Sequence, residues 1–407
     1  MSDDPSKKYR DRFTVDLDDS PTGPQALFSF HSIFNLSGLM KTALPPFLLA
    51  AALVSSPVYV SHGNAAELEV VASFPKQQVT GIGVSKTSGR IFVNFPFWSD
   101  DHIISVAEVG KDGNLTPFPD AEWNRKDEGS PDKRFVCVQS VVVDDRDTLW
   151  ILDAGSPKQQ GVVPGAAKLV KVDLASNQVV KVYPMEDTVA PKKSYLNDIR
   201  VDTATGHAFI TESGIGSLIV INLESGEQRR LLANHPSTKA EIGTELVVDS
   251  IRPIDPETAG TPQFHADGIA LDAKNGWLYF HPLTGYQLYR IRTSVLTDPK
   301  APMEKVEKAV EKVAKTAAPD GMLEDPKGRV YLAAFEKNAI IRFDPDSGES
   351  TTVVEDKRLQ WPDTLSWGPD GDLYVTTSQI HRTPKYNRGV SKLEGPFQVL
   401  KVSMEKP

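Results

Sequence analysis

The chain has 407 residues, with 45 Lys and Arg against 54 Asp and Glu, so its formal net charge at pH 7 is −9. This acidic balance argues against nucleic acid or an anionic membrane as the main partner, because both attract basic surfaces. The single cysteine, Cys137, excludes an internal disulfide framework and a zinc site built from several cysteines.

The first stretch of the chain has the features of a targeting region. Residues 1–39 are polar and irregular, and we interpret them as an unstructured extension or as sequence ahead of the true start at Met40. After Lys41 an apolar run extends from Ala43 to Val54, and it is followed by small residues at 65 and 66. Together these are the three parts of a secretory signal peptide.

The apolar run is shorter than the roughly 20 residues that span a membrane. An ordinary apolar helix is the alternative. We therefore predict that residues 40–66 are a signal peptide, and that the product is secreted without stable membrane insertion once the signal is removed. Residues 67–407 are then the folded domain.

Six segments share one pattern, in which a short apolar strand is followed by a turn with Asp or Gly and by a strand centred on an aromatic residue. Repeats of about 40 to 70 residues with this pattern are typical of β-propeller blades. We predict an all-β fold, a six-bladed β-propeller in which 67–74 and 397–404 share a blade and close the ring. Two stacked β-sandwiches, the alternative, do not explain the repeated pattern. The segments are 79–95, 138–155, 196–213, 266–283, 319–335 and 362–378.

One segment between the repeats has helical rather than strand periodicity. In residues 302–319, apolar residues such as Met303, Val306 and Val310 recur at helical spacing, with Glu and Lys on the other face. The spacing predicts one inserted amphipathic helix, which is more typical of a surface cap than of a partner-binding element.

The repeats also place polar side chains at matching points in five of the six blades. In a propeller the first strand of each blade lines the central channel, so these side chains face a common opening. Carboxylates held together need a cation, a shared proton or backbone donors, and a hard cation such as Ca²⁺ suits oxygen ligands. For any single Asp, the alternative is a cap on a turn. Alignment on the aromatic residues gives Gly81, Gln139, Asp198, Asp267, Asp320 and Asp363.

Two other residue types are candidates for the same opening. His265 lies two residues before Asp267 and is a candidate general base, although a lone loop histidine is more often a surface residue. Trp361, together with Trp98, Trp123 and Trp367, is a candidate wall for an apolar pocket, with core packing as the alternative. The sequence lacks a Gly-x-Ser-x-Gly elbow, a phosphate loop and a His-Glu-x-x-His motif.

A set of ordered motifs resembles the Yellow / major royal jelly protein family over roughly residues 67–404. The resemblance implies a secreted six-bladed propeller, in a family that includes dopachrome-isomerising and amine-binding members. The chain lacks the paired cysteines of the insect branch and is more similar to the microbial branch. The motifs are TLWILDAG, KLVKVDL, SYLNDIRVD, AFITESG, LLANHPST, ADGIALD, LTGYQLYRI and WPDTLS.

Residues 319–345 resemble, more distantly, a blade of gluconolactonase-type propellers, in which a divalent metal activates water for lactone opening. By motif, Asn197, Asp267 and Asp320 fall on the metal-ligand positions of that family, and the resemblance implies Asp320 as the acid/base. Ca²⁺ or Zn²⁺ is the implied cofactor. The first blade departs from the pattern, because Gly81 stands where that family has a Glu ligand.

Taken together, the sequence predicts an exported propeller that binds a small cyclic or aromatic metabolite at the channel mouth. Isomerisation and lactone hydrolysis are the candidate reactions, with Asp320 and His265 as catalytic residues. Gln139, Asp198, Asp363 and Trp361 are the predicted ligand-binding residues. The alternative is a non-catalytic carrier of an amine or aromatic ligand, and no motif favours a protein-interaction scaffold or a particular oligomeric state.

Overall fold

Twenty-four strands form six antiparallel sheets of four strands each within the part of the chain that the structure describes. The structure is a computed structural model, and it describes residues 66–126 and 129–404. The predicted extension, 1–39, and all of the predicted signal peptide except its last residue lie outside the described residues. No helix among the described residues is long and apolar enough to cross a membrane.

The first two blades follow the predicted hairpin pattern, and each inner strand is largely buried while the outer strand is partly exposed. Blade one contains β2 to β5 and blade two contains β6 to β9. The strands are β1 (Leu68–Phe74), β2 (Ile82–Val84), β3 (Ile91–Asn94), β4 (Val106–Val109), β5 (Leu115–Pro117), β6 (Val138–Val143), β7 (Thr148–Asp153), β8 (Lys168–Asp173) and β9 (Gln178–Pro184).

Blades three and four pack their apolar faces against each other. For example, Phe209 and Leu218 of blade three share one buried cluster with Ile269 and Phe280 of blade four. Burying each of these side chains contributes about 1.5–3 kcal/mol. The strands are β10 (Leu196–Asp202), β11 (His207–Glu212), β12 (Ser217–Asn222), β13 (Gln228–Leu231), β14 (Ala266–Asp272), β15 (Trp277–Pro282), β16 (Gln287–Arg292) and β17 (Glu311–Lys315).

The first and last strands of the described residues close the ring as predicted. In blade six, β1 pairs with the last strand in antiparallel register, with Leu68 opposite Val402 and Phe74 opposite Phe397. The inner strands of neighbouring blades contact one another all round the ring, including those of blades six and one. The strands are β18 (Pro319–Glu324), β19 (Val330–Ala334), β20 (Ala339–Phe343), β21 (Ser350–Glu355), β22 (Pro362–Trp367), β23 (Leu373–Thr377) and β24 (Phe397–Val402).

The predicted helix over 302–319 is much shorter in the structure. Helix α2 spans only Met303–Lys308, with Val306 buried, and it follows a second short helix, α1 (Thr293–Thr297). Within the same segment, Glu311–Lys315 form the outer strand β17 instead. Its pairing with β16 and the 2.8 Å Arg290–Glu311 ion pair outweigh the helical pattern, because a fourth strand completes the sheet.

Short 3₁₀ turns occupy several loops between the strands, and most of them begin with proline, which fits the first helical position. They are Pro131–Lys133, Pro157–Gln159, Pro236–Thr238, Phe335–Lys337, Ile380–Arg382 and Pro384–Tyr386.

Two glycines on the inner strands are required by the close approach of neighbouring blades rather than by a turn. A Cβ on Gly268 would lie 2.6 Å from the backbone oxygen of Asp320, and a Cβ on Gly321 would overlap the backbone oxygen of Asp363. The Asp-Gly pairs at these strands therefore serve interblade packing as well as placing a carboxyl at the channel.

A histidine buried in blade four predicts acid sensitivity. The His281 side chain is fully buried, and its Nδ1 lies 2.7 Å from the Pro282 oxygen. Burial lowers the pKa of His281 to about 4, against about 6.5 in the unfolded chain. Between these values only the unfolded chain takes up the proton, so the free energy of unfolding decreases as pH falls, by up to about 3 kcal/mol.

We therefore expect a His281→Gln variant, whose amide still donates to the Pro282 oxygen, to lose less stability than the wild type between these pH values. Thermal unfolding followed by circular dichroism at stepped pH measures this difference. If the melting temperatures of the two proteins fell in parallel with pH, His281 would not be the source of the acid sensitivity.

Candidate functional site

A cavity of about 800 Å³ opens at one mouth of the central channel. The carboxyl groups of Asp267, Asp320 and Asp363 line it, each from the first residues of an inner strand. These strands begin at the channel because each blade packs its inner strand edge-on to the axis. Three of the predicted acidic residues are thus brought together from three different blades.

The strand register corrects the predicted alignment in blades one and three and leaves Asp267 of blade four in place. In blades three and four, Arg200 lies opposite Phe209 and Ala270 lies opposite Tyr279, and Asp267 stands three residues before Ala270. In each blade, the equivalent position is the one three residues before the strand partner of the aromatic residue. These positions form a ring of Thr80, Gln139, Asn197, Asp267, Asp320 and Asp363.

Asn197, and not Asp198, is therefore the counterpart of Asp267, and Thr80 replaces Gly81. Alignment on the aromatic residues gave the wrong positions in blades one and three because the hairpins of blades one, three and four are one residue longer than those of the other blades. Asp198 is buried but does not line the cavity. Burial raises the pKa of its carboxyl, and the neighbouring Arg200 guanidinium lowers it.

Burial dominates the electrostatics of the floor. It raises the pKa of Asp320 to about 7, although the Trp361 N–H lowers it, and it raises the pKa of Asp363 well above the usual range. The pKa of Asp267 is also raised well above the usual range, first by burial and then by the charge of Asp320. The Asp267 and Asp320 carboxyls thus lie close enough for the charge of one to disfavour ionisation of the other.

Trp361 holds one side of this carboxyl pair. Its indole N–H donates to Asp320 Oδ2 at 2.5 Å. The ring is fully buried and is stacked between Phe335, at 4.3 Å, and His381, at 5.7 Å between ring centroids. Its backbone has a φ of 55°, a left-handed conformation that is costly for a bulky residue and persists only where the surroundings enforce it.

A row of hydrogen bonds holds the other side. The Trp98 indole N–H donates to Tyr195 Oη at 2.5 Å, and Tyr195 Oη donates to Gln139 Oε1 at 2.8 Å. Gln139 Nε2 donates to Asn197 Oδ1 at 3.1 Å, and Asn197 Nδ2 donates to Asp267 Oδ2 at 2.5 Å. The predicted ligand residue Gln139 thus lies in the cavity as one member of a row that ends on Asp267.

The structure does not bring His265 to the cavity. His265 Nδ1 accepts the Ala240 N–H at 2.9 Å, and the charges nearest the ring are those of Lys239 and Glu212. Burial lowers the pKa of the imidazole, and the residue is absent from the cavity lining.

Of the four candidate tryptophans, Trp98 and Trp361 line the cavity. Trp123 packs on Phe135 instead, and Trp367 packs on Tyr331. The sequence prediction missed three further aromatic residues of the wall. Tyr195 had a sequence indication, because it precedes the Asn-Asp pair of its repeat, whereas the other two come from long loops without a repeat pattern. The missed residues are Tyr195, Phe264 and Tyr386.

The rim of the cavity carries charges of both signs. Four lysines line it together with Asp255 and Glu257, and Lys158 forms a 2.6 Å ion pair with Asp100. The cavity is therefore acidic at its floor, aromatic along its wall and mixed in charge at its rim. The four lysines are Lys158, Lys192, Lys193 and Lys385.

The donor set at the floor does not fit a divalent metal. Asn197 directs its amide nitrogen, not its oxygen, at Asp267, and a hard cation needs oxygen ligands. Among residues 66–126 and 129–404, no group of three or more His, Cys, Asp or Glu side chains is placed to hold a metal ion.

The model of the major royal jelly protein family matches residues 136–406. Among curated proteins, major royal jelly protein 7 of Apis mellifera is 25% identical over 228 residues, 49% of this chain and 48% of that protein. Protein yellow of Drosophila melanogaster is 24% identical over 237 residues, 54% of this chain and 42% of that protein. The chain thus spans about half the length of these relatives.

Solved structures show the same fold at low sequence identity. A luciferin-regenerating enzyme has a TM-score of 0.51 at 12% identity, covering 84% of this chain and 96% of that one. A regucalcin of Agrobacterium tumefaciens, described as a calcium-binding protein, has a TM-score of 0.50 at 15% identity, with 82% and 95% covered. A putative gluconolactonase has a TM-score of 0.50 at 13% identity, with 84% and 93% covered.

Proposed function

The chain belongs to the major royal jelly protein family, and we propose that it is an exported protein that binds a small cyclic or aromatic metabolite at the channel mouth. The observation that carries the proposal is the cavity, which combines an acidic floor with five aromatic side chains in its wall. Export is supported by the signal-like pattern in residues 40–66.

The size and lining of the cavity support a ligand of this class. Cavities of roughly 300–1,000 Å³ hold small organic ligands. Flat rings gain contact area and favourable ring geometry against aromatic walls such as those of Trp98, Phe264 and Tyr386. The carboxyl groups at the floor accept hydrogen bonds from donor groups of such a ligand.

The neighbouring carboxyls of Asp267 and Asp320 extend the proposal to catalysis. Isomerisation needs a group that takes a proton from one atom of the substrate and returns it to another. A carboxyl group at the floor can take up and return a proton in this way, and Asp320 is the one held by Trp361. In lactone hydrolysis the same pair would take the proton of an attacking water. We route neither reaction through a metal, because the donor set does not fit one.

A non-catalytic carrier of an amine is the second candidate, and one observation favours it. No N–H or O–H group among the described residues donates to Asp267 Oδ1, although the residue is only 2% exposed. An ammonium group at the floor would satisfy this oxygen and offset the nearby carboxylate charge. A carrier requires this contact and nothing further.

Calorimetric titration of the purified chain with matched ring compounds tests the proposal. We expect tyramine to bind at least about tenfold more tightly than 4-ethylphenol, which lacks the amine, a difference of about 1.4 kcal/mol. Trp98→Leu should weaken both, and Trp123→Leu, outside the cavity, should weaken neither. Absence of binding by every cyclic or aromatic compound, or equal effects of the two variants, would refute the proposal.

Assays of turnover separate the two candidates. Dopachrome and a gluconolactone are suitable substrates, because they report isomerisation and lactone opening. Turnover of either compound that disappears in an Asp320 variant supports the enzyme. Tight amine binding without turnover supports the carrier.

A further inference from the structure

We propose that the row of hydrogen bonds from Trp98 to Asp267 determines the ligand chemistry of the floor. It keeps Asn197 as a donor and so makes the floor a site for an ammonium or another hydrogen-bond donor and not for a divalent cation. The inference rests on the cavity assigned above, but it concerns which class of group the floor accepts.

The direction of the row follows from its first member. An indole N–H can only donate, so Tyr195 Oη accepts from Trp98 and has its own proton left to donate. That proton goes to Gln139 at 2.8 Å, which fixes the amide oxygen of Gln139 towards Tyr195.

The same logic continues to the floor. With its oxygen towards Tyr195, Gln139 presents its NH₂ group to Asn197. Asn197 must then accept with its oxygen and direct its own NH₂ group away, to Ser213 Oγ at 3.0 Å and Asp267 Oδ2 at 2.5 Å. Each amide orientation is determined by the one before it, because every step pairs one donor with one acceptor.

Reversing the row would lose a hydrogen bond. If Gln139 turned its NH₂ group to Tyr195, the hydroxyl would accept two bonds and its proton would be left with Cys137 Sγ, at 3.8 Å. Sulfur is a weak acceptor, so the reversed arrangement is less stable. Tyr195 and Gln139 are only 9% and 7% exposed, so an unmade hydrogen bond is costly for either side chain.

The consequence for a metal is direct. A divalent cation next to Asp267 would face the partial positive charge of the Asn197 NH₂ group, where it requires an oxygen. An ammonium or hydroxyl donor meets no such conflict, since it needs only the unpartnered Asp267 Oδ1. Trp98 and Tyr195 act through Asn197 and are positioning residues in this scheme.

Two substitutions reverse this selectivity without removing the cavity. Gln139→Glu offers only acceptors, so Asn197 must turn its NH₂ group to residue 139 and present its oxygen to Asp267. Asn197→Asp replaces the donor by a third carboxylate at the floor. Asn177→Asp, on an exposed turn, adds the same charge outside the cavity and is the matched control.

The test is a calorimetric titration of the full chain with CaCl₂ and with MnCl₂ after dialysis against chelator, with thermal unfolding as a second readout. We expect no specific binding by the wild type or Asn177→Asp. Gln139→Glu and Asn197→Asp should each bind at least one of the two metals at least about tenfold more tightly than the wild type. Both variants should show a melting temperature that rises with metal concentration.

Three results would overturn the inference. The first is stoichiometric metal binding by the wild type that Asp267→Asn removes. The second is that the Gln139→Glu and Asn197→Asp variants both fold but neither gains affinity for the metals. The third is an equal gain in Asn177→Asp. Because no organic ligand takes part, these outcomes are independent of the result of the ring-compound titrations.

Discussion

Asp320→Asn is expected to reduce turnover, or the binding of an amine ligand in a pure carrier, by at least about 100-fold, or about 2.7 kcal/mol. The asparagine oxygen still accepts the Trp361 N–H, which in the wild type lies 2.5 Å from Asp320 Oδ2, and the side-chain volume is nearly unchanged. The variant loses the negative charge and the carboxyl group that would take up and return a proton. We therefore expect the melting temperature to change little.

Calorimetry, a turnover assay and circular dichroism on the same preparation measure the three quantities. Asp370→Asn is the matched control, because Asp370 is exposed on the turn of blade six and undergoes the same change of charge. If Asp320→Asn lowered the melting temperature in proportion to the loss of function, Asp320 would be a structural residue and the site would lose its proposed acid/base.

Gly321→Ala is expected to produce the largest loss of stability, about 3 kcal/mol or more. The added Cβ overlaps the backbone oxygen of Asp363 and lies 3.0 Å from the Thr364 Cα. Both are backbone atoms of the neighbouring inner strand, so relief requires blades five and six to separate. No flexible side chain can move aside to relieve this overlap, because the neighbouring atoms belong to the backbone.

Urea unfolding gives the midpoint and slope needed to compare the variants. Gly260→Ala is the matched control, because its nearest atom, Thr258 Oγ1, is 3.6 Å from the built Cβ in an exposed loop. A midpoint for Gly321→Ala equal to that of the control would contradict the close approach of the two inner strands.

The repeat pattern was sufficient to predict the propeller because local and global preferences agree. Alternating apolar residues specify hairpins, and a hairpin sheet with two apolar faces is stable only between two others. The pairing of β1 with β24 followed from having one unmatched strand at each end. In contrast, the helical pattern over 302–319 was overridden beyond Lys308, where an open sheet edge offers more hydrogen bonds than a short helix.

By itself, the sequence determined the number of blades, the family and the acidic residues that begin the inner strands of blades four to six. Only the tertiary structure decided that Asn197 and not Asp198 meets Asp267, since strand register depends on hairpin lengths that differ by one residue. It also decided the wall and the direction of the hydrogen-bond row. Trp98 and Tyr386 approach the floor from loops far apart in the chain, and the orientation of each amide depends on partners in other blades.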